Sequence, residues 1–180
     1  MAGEHLTRTA RRVVAGTDTK GRSTVTSDGV TAARAATDAF TINQIWQVDA
    51  LPPRVDAEDG SAGAVSITPP PGGFVYLVTT FPPDRDWDLA AGYKDALAAS
   101  GGADAHVEDA AIAGLHRTDT VDIVTVLSGE IVAVLEDSEV LLRPGDSFVQ
   151  RGTRHAWSNR TDKPCTIVAV MAGATRAASA

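Results

Sequence analysis

Disulfide chemistry is absent from this chain. Its 180 residues include one cysteine, Cys165, which has no partner for an intrachain bridge and sets no demand for an oxidising compartment. Cys165 lies inside the apolar run "CTIVAVM", where a small buried hydrophobe is expected rather than a nucleophile. Positive charge is also short: 16 Lys and Arg stand against 23 Asp and Glu, for a formal net charge of −7. No basic stripe offsets that balance, which argues against a nucleic-acid binder. The basic stretch "TRTARR" is short and reads as a solvated tail. No apolar run approaches membrane-spanning length, and the opening "MAGEHLTRTA" has no apolar core of a secretory signal, so a cytoplasmic protein is expected. There is no Gly-rich phosphate loop, no nucleophile elbow and no Cys-x-x-Cys metal site. Regular helical periodicity is scarce as well.

What remains is a chain of single-domain length, 43% apolar, able to bury a core. Its apolar residues fall in short β-branched or aromatic runs: "RRVVAG", "STVTSD", "FTINQIWQVD", "GFVYLVTTF", "DIVTVLSG", "EIVAVLED", "EVLLRPGD", "SFVQRG" and "CTIVAVMAG". The punctuation "LSGE", "LEDSE" and "RPGD" supplies tight turns between them. Many short strands at close spacing predict an antiparallel sandwich or barrel. "SITPPPGG" is too proline-rich for a central strand and reads as an edge or connector. From Asp84 to about Ala113 the pattern changes to helix and loop. Asp88 can cap a helix with Leu89, Tyr93 and Leu97 on one face, ended by Gly101-Gly102. Such a helix would lie on the barrel wall or act as a flap over a pocket mouth.

The chemistry-bearing residues concentrate in "GLHRTDTVDIVTVLSGE", Gly114 to Glu130. On a strand alternate side chains share a face, so His116, Thr118, Thr120 and Asp122 point one way and Asp119 and Val121 the other. Further on, "RGTRHAWSN" offers His155 with Trp157 at the same parity. His5 in the tail and His106 in the insertion are expected to be solvated. Trp46, Tyr76 and Trp157 are expected in the core or pocket wall, where rigid aromatic area suits apolar ligands. Arg151 and Arg154 are expected in surface ion pairs, with an anionic substrate as the other reading.

The stretch from Gly114 to about Gly173 resembles a cupin domain. The first cupin motif is a glycine, then His-x-His, three or four residues, Glu, six residues and Gly. Here His116 takes the first histidine position, Thr118 stands at the second, Asp122 at the glutamate, and Gly129 follows after six residues. In the second motif "GDSFVQRGTRHAWSN" supplies Gly145, His155 and Asn159, one residue short, with Arg151-Gly152 in place of Pro-x-Gly. The resemblance implies an all-β double-stranded β-helix, or jelly roll, carrying an N-terminal β arm and a short helical insertion. Its parts would be 1–83 for the arm and first barrel strands, 84–113 for the insertion and 114–175 for the motif core.

The family usually holds a divalent metal through motif histidines and the glutamate. Carried over, that leaves His116, Asp122 and His155 as ligands, with Thr118 at the missing histidine. Two imidazoles and one carboxylate suit a facial non-haem iron site or a catalytic zinc, and Mn or Ni are further candidates. Asp122 is one methylene shorter than glutamate. Without metal, the same His116, Asp122 and His155 could do general acid–base work, or the pocket, with Thr118, Thr120 and Trp157 in its wall, could bind without turnover. Some relatives within the family sit beside polyketide and aromatic-metabolism genes. The resemblance therefore implies an enzyme acting on a small organic, aromatic or polyketide-like molecule by oxygenase, lyase or isomerase chemistry. It also implies a homodimer, because arms and open jelly-roll edges in the family pair between chains.

Overall fold

The computed structural model describes residues 3–61, 63–107 and 111–176, with the side chains of residues 89–91 outside the description. Eleven strands are present among them: β1 (Arg11–Thr17), β2 (Ser23–Val30), β3 (Arg34–Ala36), β4 (Thr41–Val48), β5 (Phe74–Phe81), β6 (Thr120–Ser128), β7 (Ile131–Leu135), β8 (Glu139–Leu142), β9 (Ser147–Arg151), β10 (His155–Ser158) and β11 (Cys165–Gly173). One α-helix, α1 (Leu89–Ala99), interrupts them. The runs chosen by β-branched and aromatic content all became strands. The pattern missed β3 and β10, which are too short to show alternation.

All pairings are antiparallel. A six-stranded sheet in the order β3-β4-β5-β11-β6-β9 faces a three-stranded sheet, β10-β7-β8. Their inner faces share one apolar core that includes Ile42, Val75, Leu77, Val126, Ile131, Ala133, Trp157 and Ile167. This is the expected jelly-roll barrel. Burial alternates along β6, with Thr120, Asp122, Val124 and Val126 inside and Val121 and Ile123 outside, as a period of two requires. The turn from β6 to β7 depends on Gly129. Its φ of +74° is a left-handed conformation, and a Cβ there would come within 2.7 Å of the Pro164 carbonyl oxygen.

The N-terminal arm is the two-stranded sheet β1-β2, separate from the barrel sheets. Two strands alone are marginal in water. Arg12 fastens the arm to the body: it pairs with Asp59 at 2.5 Å and lies over the Trp46 ring at 5.7 Å. Trp46 is therefore half-buried beneath the arm, and Tyr76, its partner in register, is half-buried too. Neither lines the barrel interior, so of the three aromatics expected there only Trp157 does. The tail is also less solvated than its polarity suggests. His5 is 3% exposed, with Nε2 held 2.9 Å from the Thr37 carbonyl.

Helix α1 covers one end of the interior. Tyr93 and Leu97 belong to the core cluster, and Gly102 N–H donates to the Leu97 carbonyl at 2.8 Å where the helix ends. Leu89 lies among the residues whose side chains are not described. "SITPPPGG" is a connector without strand structure, as its prolines dictate. Among the described residues no helix is long and apolar enough to cross a membrane.

Candidate functional site

His116 and His155 meet at the end of the barrel beneath α1. Neither relies on a long strand. The His116 N–H donates to the His155 carbonyl at 2.9 Å, and the His155 N–H to the His116 carbonyl at 3.0 Å, forming one antiparallel bridge. That bridge brings the two expected motifs together. It places the imidazoles side by side, with ring centroids 4.2 Å apart. Both are buried.

Their outer ring nitrogens are committed to the backbone. His116 Nδ1 lies 3.0 Å from the Gly114 carbonyl and His155 Nδ1 lies 3.2 Å from the Thr153 carbonyl. A carbonyl can only accept, so each Nδ1 carries the proton and each Nε2 keeps a free lone pair. Burial pushes the His116 pKa down to about 4; the Gly114 hydrogen bond opposes this and nearby His106 adds to it. Burial also holds His155 well below the ordinary range, helped by His116 and opposed by the Thr153 carbonyl. At neutral pH the pair is uncharged.

Sequence reasoning placed Tyr93 on the apolar stripe of a helix and missed its second contact. Its ring lies 5.6 Å from that of His116, and its hydroxyl is 3.5 Å from His116 Nδ1. The phenol is fully enclosed, and burial raises its pKa. Trp157 stands edge-on to His155 at 5.7 Å. Phe40, Phe81, Tyr93 and Trp157 thus make an aromatic wall around the histidines. Little space is left there: the interior cavity measures about 70 Å³.

Thr118, Thr120 and Asp122 also face inward, as parity predicts. The Thr118 and Thr120 hydroxyls are 2.7 Å apart and bond to each other. Asp122 is 3% exposed, and its Oδ1 is buried with no hydrogen-bond partner. Burial pushes its pKa up to about 6 against a hydrogen bond from Thr120.

The donor set implied by the family resemblance is not gathered. Among the described residues no group of three or more His, Cys, Asp or Glu side chains stands where it could hold a metal ion. The two imidazoles are adjacent, but Asp122 does not join them. The short aspartate side chain leans on Thr120, and the Thr118 hydroxyl is spent on the same neighbour. These residues do not fit a three-ligand metal centre.

The remaining sequence candidates fall outside the interior cavity. His106 bridges to His116 through the backbone and is half-buried, not solvated as expected; its Nδ1 is enclosed and unpartnered. Arg154 forms the expected surface pair, with Glu136 at 3.0 Å. Asn159 is structural: its side-chain amide donates to the carbonyls of Phe81 and Lys163. Cys165 is buried, and its thiol pKa is pushed up to about 12, the behaviour of an inert core thiol. Arg176 carried no sequence signal. It donates to the Thr118 and Gly152 carbonyls at 3.1 and 2.8 Å and pairs with Asp119, tying the first motif to the second.

Residues 105–171 match the family model described as "Cupin domain". This segment is a cupin domain. The match begins inside the expected insertion, at the turn that carries His106, and ends near the close of β11. Over 48 residues the chain is 50% identical to "Phomopsin biosynthesis cluster protein C'" of Diaporthe leptostromiformis, covering 26% of this chain and 25% of that protein. Over 45 residues it is 49% identical to "Oryzines biosynthesis cluster protein J" of Aspergillus oryzae, covering 24% of this chain and 25% of that protein. The matches thus span about a quarter of the length of these curated relatives. A cupin 2 conserved barrel domain protein from Salinispora arenicola CNS-205 shares 15% identity at a TM-score of 0.41, with 75% of this chain and 76% of that chain covered.

Proposed function

We propose that the cupin domain is a small-molecule enzyme domain in which His116 and His155 act as a neutral acid–base pair. The carrying observation is the geometry of the two rings: centroids 4.2 Å apart and each Nδ1 anchored on a carbonyl, which leaves the lone pair of each ring on Nε2. The Nε2 of one imidazole removes a proton from a carbon next to a carbonyl, and the imidazolium so formed returns that proton to a neighbouring position of the substrate, which leaves the ring neutral again. This is isomerase or lyase chemistry that needs no third ligand. The aromatic wall suits an aromatic or polyketide-like ketone or acid. Relatives named for biosynthesis clusters support a role in building a small organic product. A three-ligand centre for Fe, Mn, Ni or Zn would need a donor beside the two histidines that the described residues do not supply.

The test is deuterium uptake from D2O by a panel of enolisable aryl ketones and acids, read by mass spectrometry. The wild-type protein is expected to label at least one of them at the carbon next to the carbonyl. His116→Gln or His155→Gln should slow the labelling by about 10²–10⁴-fold. Because His116 titrates near 4, labelling is expected to stay level from pH 7 to 5 and fall only as pH approaches 4. No labelling, or equal rates in the variants, would overturn the reading.

We propose also that the working unit is a homodimer. The outer face of the large sheet exposes Ile123 and Val149, which are partners in register, at 54% and 57%. The arm exposes Val13, Val25 and Val30. A second copy can cover both apolar faces at once. Sedimentation equilibrium should therefore give twice the chain mass, and Ile123→Glu should return the monomer; a monomeric wild type would refute the dimer.

A further inference from the structure

The larger cavity of this domain lies beside the histidine pair. It is a cleft of about 430 Å³ lined by Thr68, Ala105, His106, Val107, Thr118 and four charged side chains, Asp104, Arg117, Asp119 and Arg154. That volume suits a whole small organic ligand, whereas the interior cavity of about 70 Å³ admits only its reacting end.

The bridge between His116 and His155 fixes where the charges go. In an antiparallel pair, residues one step from a bridged pair lie opposite each other, on the other face. With the histidines turned inward, Arg117 and Arg154 are therefore set across from one another on the outside, both exposed. Like charges directly opposed across such a pair are unfavourable, and a bound anion relieves them. Of the acids around the cleft, Asp104 forms an ion pair with neither arginine among the described residues. Asp119 is already held by Arg176. Glu136 meets Arg154 with both side chains about half in water, and exposed pairs of that kind contribute little. The Thr118 carbonyl, which would repel an anion, is capped by Arg176 Nη2 at 3.1 Å.

Thr118 lines both the cleft and the interior cavity. It is the shared wall between the arginines and the histidine pocket.

We propose that Arg117 and Arg154 form a carboxylate clamp, and that the ligand of this domain is a small carboxylic acid. Its anionic end rests between the two guanidinium groups and its uncharged end lies against Thr118. The planar fork of arginine matches a carboxylate with paired hydrogen bonds. The identity of the ligand as a substrate rests on the acid–base reading above; the clamp itself does not.

The experiment compares 3-phenylpropanoate with its neutral amide on the full chain, by NMR titration that follows the ring signals of His116 and His155. The acid is expected to bind about tenfold or more tightly than the amide, a difference of one charge-assisted contact. Arg117→Gln and Arg154→Gln should each erase that preference, and both sit on the surface where folding is not at stake. Failure of the acid to bind at about 10 mM, equal binding of acid and amide, or an unchanged preference in both variants overturns the clamp. Equal binding that still moves both histidine signals removes the clamp and leaves the histidine pocket standing. Acid-selective binding, erased by the arginine variants, that moves neither ring supports the clamp and overturns the histidine pocket.

Discussion

Trp157→Ala is expected to cost about 3–5 kcal/mol of folding stability, the range for removing a large buried aromatic. Trp157 is 8% exposed and packs against Phe81 at 6.3 Å, Phe148 at 5.9 Å and His155 at 5.7 Å. It sits on β10, an edge strand of the three-stranded sheet, yet it fills the space between the two sheets. Truncation leaves a void that strands on both sides cannot close without breaking register. The same void opens next to His155, whose depressed pKa rests first on burial. Water entering it should let that pKa climb towards the ordinary histidine value. Urea unfolding at neutral pH gives the first effect as a lower midpoint with an unchanged slope. Histidine NMR gives the second. A stability loss under about 1 kcal/mol would show that the aromatic is not holding the sheets together.

Asp122 makes the second large effect, and its sign depends on pH. Burial raises its pKa from 3.8 to about 6 in the folded state. The unfolded chain releases this proton near pH 4 and the folded chain only near pH 6. Across that window the unfolded state holds fewer protons, so the fold loses stability as pH rises through it, by about 3 kcal/mol in total. Below pH 4 the loss is absent and above pH 6 it is complete. Asp122→Asn removes the titration and keeps the shape. The variant's stability relative to the wild type should therefore improve by about 3 kcal/mol between pH 4 and pH 8, whatever its fixed offset from the new amide. The histidines slope the other way. The unfolded chain takes up a proton near pH 6.5, whereas His116 does so only near 4, so the fold weakens on acidification between those values. In the variant only that acid-side loss remains. Chemical denaturation at a series of pH values measures both, and a difference independent of pH would mean that Asp122 ionises as freely as in the unfolded chain.

An isolated buried carboxyl that weakens the fold at neutral pH calls for an explanation in function. Groups kept at such expense are found where chemistry or binding uses them. Asp122 stands on the same strand face as the Thr120–Thr118 hydroxyl pair, whose far member borders both cavities.

The barrel was legible because β-branched runs and glycine turns are local signals. The alternation of His116, Thr118, Thr120 and Asp122 with Arg117, Asp119 and Val121 follows from a two-residue period and holds in the burial pattern. β10 was hidden because "HAWS" buries its first three residues on both faces and shows no alternation. The contacts of Tyr93 with His116 and of Arg176 with Thr118 span long stretches of chain, and no local pattern carries them. His5 looked solvated because the tail is polar; its burial comes from docking against Thr37. The metal expectation came from residue identity at motif positions. Reach decides such a site, and one missing methylene with a competing threonine hydrogen bond is a matter of distances, which motifs do not contain.

The central claim is that His116 and His155 are a pair of neutral bases with free Nε2 atoms. Nitrogen-15 NMR of the histidine rings at pH 7, on untagged protein whose metal content is measured in the same sample, tests it most directly. The account predicts that both rings are neutral, carry the proton on Nδ1, and remain so without stoichiometric metal. Near-stoichiometric Fe, Mn, Ni or Zn that disappears in both His116→Ala and His155→Ala, with Nε2 signals shifted by coordination, would contradict it.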